Sequence, residues 1–293
     1  MGISTAPELY SGPTVVTRDG LSLALEHHFV PNAKAHVLVV HGFGEHMGRY
    51  RHVVSALTGA GYACHLFDLR GHGASEGARA YVADLTDFHD DLNRVAAQIR
   101  QAISRSSSGV GTRPGLVALA HSMGGLLALD HTIRHPATFD ALILSSPFFA
   151  EGFKVPALAR ACGLLMARMV PRWPLNARVD ARLLSHDRTV VEAYTRDTRV
   201  LGFITPRLWR EIGVAQREVV ERAAEVRTPT LFLVGTADRV VDTAAIDRVF
   251  RALASDDKKL LTYDGFFHEV LNENGGVTVL ADVQRWLDSR WGT

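Results

Sequence analysis

Leu116–Gly125 reads LVALAHSMGG and runs on into LLALDHTIRH. The apolar run from Leu116 to Ala120 predicts a short buried strand, and Met123 to Arg134 predicts a helix that begins at once. Only His121 and Ser122 separate the two, so a serine sits on the hinge. Ala120, Gly124 and Gly125 surround it with small residues, where backbone must approach backbone most closely. Strand, tight turn and helix in this order form the context of a nucleophile elbow: a strained turn lifts the serine oxygen out of the sheet and sets a helix N-terminus behind it. The usual pattern is Gly-x-Ser-x-Gly, and Ala120 departs from it by one methyl. Taken alone, a buried strand–helix junction that carries a serine reads the same way, so the neighbours decide.

The chain has 293 residues, 47% of them hydrophobic, and a formal charge of +1. That is long enough for one large domain, or for one domain with an inserted piece. No basic run interleaved with aromatics occurs, which argues against nucleic acid as a partner. Cys64 and Cys162 are too few and too far apart for a disulfide framework and suit a reducing compartment. The opening MGISTAPELYSG lacks the basic start and apolar core of a signal peptide, and Ala6 breaks the myristoylation pattern. The stretches around Leu116–Leu129 and Val155–Val170 are too short or too interrupted to span a bilayer. The expectation is a soluble, cytoplasmic protein.

Thr14–Thr17 and Leu21–Val30 flank Arg18-Asp19-Gly20 and predict a hairpin. Ala35–Val40 and Ala63–Asp68 are continuous apolar runs, the mark of strands buried on both faces. Tyr50–Ala60 reads as a helix, and Leu85–Ile103 as a longer amphipathic one with Phe88, Leu92, Val95, Ala96 and Ile99 on one side. Ser104–Pro114, with its serine run Ser106–Ser108, reads as a surface linker. Ala141–Ser145 adds a strand. After Pro147 the rhythm breaks: from Phe148 to Arg227 there are helical patterns, prolines and arginines but no buried strand. Pro229–Val234 then resumes the sheet, followed by a helix at Thr243–Leu253, a strand at Lys259–Tyr263 and a helix at Val277–Trp286. Strands alternating with helices imply βαβ units and a mostly parallel sheet. The predicted organisation is an α/β core made of residues 1–147 and 228–293, interrupted by an insertion at 148–227.

In an open parallel sheet, functional groups gather at the carboxyl ends of the strands. After Ala35–Val40 comes HGFG, after Ala63–Asp68 comes RGHG, and after Leu116–Ala120 comes Ser122. After Pro229–Val234 comes Gly235-Thr236-Ala237-Asp238, and after the last strand comes Asp264-Gly265-Phe266-Phe267-His268-Glu269. Ser122, Asp238 and His268 thus follow buried strands in the chain order of an α/β-hydrolase triad. A serine hydroxyl is a poor nucleophile until a histidine takes its proton, and the same histidine then protonates the leaving group. The acid would hold the imidazole in the useful tautomer. Two backbone N–H groups must meet the oxyanion; the elbow supplies that of Met123 and the loop after HG that of Phe43.

Fourteen histidines make any one of them weak evidence. His121, next to Ser122, should point away from its hydroxyl, and His41 and His72, in glycine-flanked turns, should bond backbone. Asp242 and Asp264 compete with Asp238 for the acid, and Glu269 should cap or pair locally. His268-Glu269 opens no zinc motif, because Asn272 stands at the fifth position. His27 and His28 face opposite ways in a strand and make no metal pair. The glycine loops fail as dinucleotide fingerprints, with Met47 and Glu76 where glycine is required.

HGFGEHMGRY (His41–Tyr50), DLRGHGASEG (Asp68–Gly77), AHSMGG (Ala120–Gly125), GTADRVVD (Gly235–Asp242) and GFFHEVLNE (Gly265–Glu273) together resemble the monoacylglycerol lipases and lysophospholipases, α/β-hydrolases of the serine-aminopeptidase-like group. The resemblance implies a triad of Ser122, Asp238 and His268, oxyanion donors at Phe43 and Met123, no cofactor or metal, and a helical cap at 148–227. It departs from the family at Ala120 and at Phe43, where members often carry a smaller residue. The implied reaction is cleavage of a monoacylglycerol to fatty acid and glycerol through an acyl-enzyme on Ser122. Lysophospholipids and short-chain esters are the nearest alternatives; acyl transfer on the same triad and a non-catalytic ligand-binding role are more distant ones. Within the cap, Val155–Val170 sets Leu158, Cys162, Leu165, Met166 and Met169 on one face. That face suits either an apolar lid with transient, peripheral contact to membrane or micelle, or simple packing onto the core. Glu192, Asp197, Glu211, Glu218 and Glu221 dilute the arginines around it.

Overall fold

A computed structural model describes residues 11–106 and 114–292. In chain order it contains β1 (Thr14–Val16), β2 (Ser22–His28), β3 (Ala35–Val40), α1 (Arg51–Gly59), β4 (Ala63–Phe67), α2 (Leu85–Ser106), β5 (Gly115–His121), α3 (Met123–Arg134) and β6 (Ala141–Ser145). There follow α4 (Ala157–Met169), β7 (Leu175–Asn176), α5 (Arg188–Arg196), β8 (Phe203–Ile204) and α6 (Pro206–Arg222). The chain then returns to the sheet with β9 (Thr230–Gly235), α7 (Thr243–Ala252), β10 (Lys258–Tyr263) and α8 (Gly276–Trp291).

Eight strands form one sheet in the order β1-β2-β4-β3-β5-β6-β9-β10. From β4 onward all neighbours are parallel, while β1 and β2 run antiparallel at one edge, as the Asp-Gly turn requires. The apolar runs β3, β4, β5, β6 and β9 are buried along their whole length. Alternate residues feed opposite cores: Leu38 and Val40 pack toward one side of the sheet, Val37 and Val39 toward the other. Helix α2 extends to Ser106, past the predicted end at Ile103. The rest of the anticipated serine linker, residues 107–113, and the N-terminal decapeptide lie outside the described residues. Both cysteines are free.

Between β6 and β9 the chain forms α4, α5, α6 and the small antiparallel pair β7–β8, with no buried strand. Gly163 lets α4 lie close on α6, since a Cβ there would stand 2.7 Å from the Trp209 ring. The packed side of α4 is therefore its small side, Gly163 and Ala167. The apolar stripe does not pack onto the core: Leu158, Leu165 and Met169 are 77, 61 and 69% exposed.

Gly124 marks the tightest approach in the core. A Cβ there would stand 2.4 Å from the carbonyl oxygens of both Val40 and His41. Gly124→Ala should push the first turn of α3 off β3 and cost about 1–3 kcal/mol, read as a lower midpoint in urea unfolding. An unchanged midpoint would show that α3 can shift freely against β3.

Candidate active site

The strand order places β3 beside β5 while the chain leaves them in opposite directions, to β4 and to β6. A crevice opens at the carboxyl ends of two such strands. Their register pairs Val40 with Ala120, so Gly42 comes to lie against Ser122; a Cβ on Gly42 would be 3.2 Å from the Ser122 Cβ.

Ser122 occupies a left-handed conformation, φ 51° and ψ −116°, that an L-residue holds only under constraint. The constraint is visible. Its N–H donates to the Ser145 carbonyl at 2.9 Å, and its carbonyl accepts from Leu126 N at 3.1 Å and Phe148 N at 3.0 Å. The hydroxyl lies 3.0 Å from His268 Nε2, and His268 Nδ1 lies 2.8 Å from Asp238 Oδ2. The other carboxylate oxygen, Oδ1, accepts from Val240 N at 2.8 Å and Val241 N at 3.2 Å. Burial works against the charge on Asp238, yet His268 and those two N–H groups outweigh it and hold the carboxyl below its ordinary value. An ionised carboxylate only accepts, so the proton of neutral His268 sits on Nδ1 and the lone pair on Nε2 faces the serine hydroxyl.

Phe43 lines the cavity above Ser122. Among the described residues, neither Phe43 N–H nor Met123 N–H donates to a protein acceptor. Gly44, at φ 73°, turns the loop so that its carbonyl accepts from Leu201 N at 2.7 Å. The cavity itself measures about 620 Å³ and is walled largely by Phe43, Phe148, Val155, Leu184, Ile204, Trp209 and Ile212.

The competing residues fall elsewhere. Asp242 caps α7 through Ala244 N, and Asp264 accepts from Thr236 Oγ1. His41 bonds the Gly42 carbonyl and accepts from Leu69 N, and His72 bonds the Arg70 carbonyl. His121 bonds Ser145 rather than the Ser122 hydroxyl, but its ring lies 4.8 Å from that of His268. Burial pushes His121 down to about 4, with His268 adding to the effect. Among the described residues no group of three or more metal-ligating side chains is assembled.

Glu269 corrects one expectation. Besides a local bond from Asn272, it receives both Arg49 Nη1 and Nη2, at 2.7 and 2.8 Å, from 220 residues away. Arg49 Nη1 also reaches Glu45 Oε2 at 2.6 Å. Glu45 Oε1 accepts from Gly42 N at 2.6 Å and from the Tyr50 hydroxyl at 2.7 Å. One buried guanidinium therefore joins the loop that carries Phe43 to the loop that carries His268, and it lies 4.9 Å from the ring centre of Tyr194 in α5. Burial opposes charge on all three groups, and their mutual attraction outweighs it: Glu45 and Glu269 are held below the ordinary carboxylate range and Arg49 above its own. Glu45 and Arg49 lie four residues apart within HGFGEHMGRY, but Glu269 is 220 residues from Arg49, so nothing in the linear sequence signals that the three meet.

This sheet, with its switch point and its serine, histidine and aspartate in line, defines an α/β-hydrolase. Residues 31–275 match the family described as serine aminopeptidase S33 (Hydrolase_4), and the chain belongs to that family. It is 32% identical over 254 residues to a monoacylglycerol lipase of Mycolicibacterium smegmatis, covering 86% of this chain and 88% of that one. It is 31% identical to the human monoglyceride lipase, covering 96% and 91%. A crystal structure of the Paleococcus ferrophilus monoacylglycerol lipase superposes with a TM-score of 0.78 at 28% identity, over 91% of this chain and 98% of that one. The protein is an ester hydrolase.

Removing the guanidinium leaves two buried carboxylates without their counter-charge. Arg49→Met should cost about 3–5 kcal/mol of unfolding free energy. Both carboxyls titrate below their unfolded value in the folded protein, so their contribution is complete above about pH 4.5 and is lost as pH falls through the folded values. Urea unfolding of the wild type should weaken across that acid window. The slope should flatten in Arg49→Met, because burial alone raises a carboxyl's pKa. Parallel slopes would mean that the guanidinium does not set the two acids' ionisation.

Proposed function

We propose that the protein hydrolyses monoacylglycerols to fatty acid and glycerol, with Ser122 as nucleophile, His268 as general base and acid, and Asp238 as the group that orients and stabilises the imidazolium. The observation that carries this reading is the Ser122–His268–Asp238 hydrogen-bonded line opening into one mainly apolar cavity. His268 Nε2 takes the hydroxyl proton as Ser122 Oγ attacks the ester carbonyl, and the N–H groups of Phe43 and Met123 receive the developing oxyanion. Collapse of the tetrahedral intermediate expels glycerol, whose oxygen takes the proton from His268. Water, deprotonated by the same imidazole, then releases the fatty acid and restores the serine. No step calls for a metal or cofactor.

In this reading residues 148–227 form a cap between the core segments 1–147 and 228–293, and its apolar walls receive the acyl chain. The exposed stripe of α4 supports peripheral contact with a lipid surface. Among the described residues no helix is long and apolar enough to cross a membrane.

Fatty-acid release should be measured on monoacylglycerols of graded chain length, lysophosphatidylcholine, di- and triacylglycerol and a short nitrophenyl ester. A monoacylglycerol optimum is expected. Asp238→Asn should lower kcat about ten-thousand-fold, and Ser122→Ala at least as much. Preference for lysophosphatidylcholine would move the assignment to a lysophospholipase, and cleavage of the short ester alone to a general esterase. Ester formation with added alcohol, in place of free acid, would indicate acyl transfer. Wild-type rates equal to those of Ser122→Ala on every substrate would leave a ligand-binding role.

A further inference from the structure

Helix α4 presents three faces to three surroundings. At about 3.6 residues per turn, Leu158, Leu165 and Met169 fall on one stripe, Gly163 and Ala167 on the opposite one, and Leu164 and Arg168 on the flank between. The opposite side is packed on α6, the stripe is bare, and Trp173 just beyond the helix is 60% exposed. On the flank, a cleft of about 610 Å³ opens between α4, α6 and the loop before α2, lined by Tyr81, Leu164, Ala167, Arg168, Arg207 and Arg210. Arg172 lies over the Tyr81 ring at 4.7 Å. Four guanidinium groups thus converge beside an unburied apolar stripe.

Charge neutralisation inside the cleft is incomplete. Glu211 bonds both Arg207 and Arg210. Asp84, held below its ordinary value mainly by its bonds from Thr86, also feels Arg207 and Arg210. Arg168 and Arg172 make no ion pair with any described residue. Most of the acids that the sequence sets against these arginines are engaged elsewhere: Asp197 with His46 and Arg199, Glu192 with Arg196, Glu218 with Arg134 and Arg222.

We propose that the arginine cleft receives the phosphate of an anionic phospholipid when the α4 stripe lies in a bilayer surface, so that the protein docks selectively on anionic membranes. Guanidinium groups match phosphate oxygens in paired hydrogen bonds. Their place on the flank, between the packed backbone and the bare stripe, is the level at which headgroups would stand if Leu158, Leu165 and Met169 entered the acyl region. A soluble phosphate ester would leave that stripe unused. The proposal deepens the lipid-surface reading above and rests on it.

The test uses Ser122→Ala protein, so that binding is read without turnover, in co-sedimentation with vesicles of phosphatidylcholine alone or of equal parts phosphatidylcholine and phosphatidylglycerol. Tighter binding to the anionic vesicles is expected. Adding Arg168→Gln and Arg172→Gln should weaken that binding roughly 30-fold, at about 1 kcal/mol for each arginine near the surface. Binding to the neutral vesicles and hydrolysis of a soluble nitrophenyl ester by the Ser122 protein should be unchanged by the two substitutions. Equal binding to both vesicle types, or an anionic preference that survives the double substitution, would overturn the proposal. Full release by inorganic phosphate at matched ionic strength would make the cleft a site for soluble phosphate and overturn it as well. Absence of binding to either vesicle would overturn the surface reading together with this one, while monoacylglycerol turnover, measured separately, would still stand or fall by itself.

Discussion

The pairing of β3 with β5, with Val40 beside Ala120, sets two loop-forming strand ends next to each other where the chain departs to opposite sides of the sheet. The placing of Ser122 follows from that contact. The first turn of α3 can close over the end of β3 only because position 124 has no Cβ to meet the Val40 and His41 carbonyls. Closing it puts Ser122 against Gly42 and fixes the serine in its strained conformation. The strain is sustained by a buried sheet with many bonds behind it, not by any local preference of serine.

A second layer of constraint joins elements that the sheet does not. Arg49 ties Glu45, which holds Gly42 N–H, to Glu269, which follows His268. The insertion touches the same loops: Leu201 N–H binds the Gly44 carbonyl, His46 binds Asp197, and the backbone of Glu269 donates to Leu184 at 2.8 Å. Tyr194 lies over the Arg49 guanidinium. The segment between β6 and β9 therefore does more than cover the cavity. It shares hydrogen bonds with the loop that carries Phe43 and the loop that carries His268, so its position and theirs are coupled through short contacts.

The core strands and the Ser–His–Asp order were legible because two signals coincide in a linear sequence: continuous apolar runs, and polar residues immediately after them. The elbow helix matched its predicted span residue for residue, Met123–Arg134. The clamp around Arg49 was not legible, since nothing local distinguishes a glutamate that pairs with its neighbour from one that pairs across the fold. Helix α4 shows a further limit. Its periodicity revealed an apolar stripe but not which way the stripe faces. The informative residues were the small ones, Gly163 and Ala167, whose spacing permits close helix contact and so marks the packed side; the large apolar residues were left for solvent.

Electrostatics around His268 follow from the same burial that makes the clamp necessary. In the proposed reaction the imidazole becomes positive, and the His121 ring, 4.8 Å away, would oppose that charge if it were protonated. Burial keeps His121 neutral down to about pH 4. Asp238 is in direct contact with the ring, and Glu45, Arg49 and Glu269 line the same cavity as His268. The cluster does not compete for the Nε2 position, because its carboxylate oxygens are bonded to Arg49, Tyr50, Asn272 or a backbone N–H. The arrangement thus separates two tasks: Asp238 fixes the tautomer by direct contact, and the clamp ties the loop that carries Phe43 to the loop that carries His268.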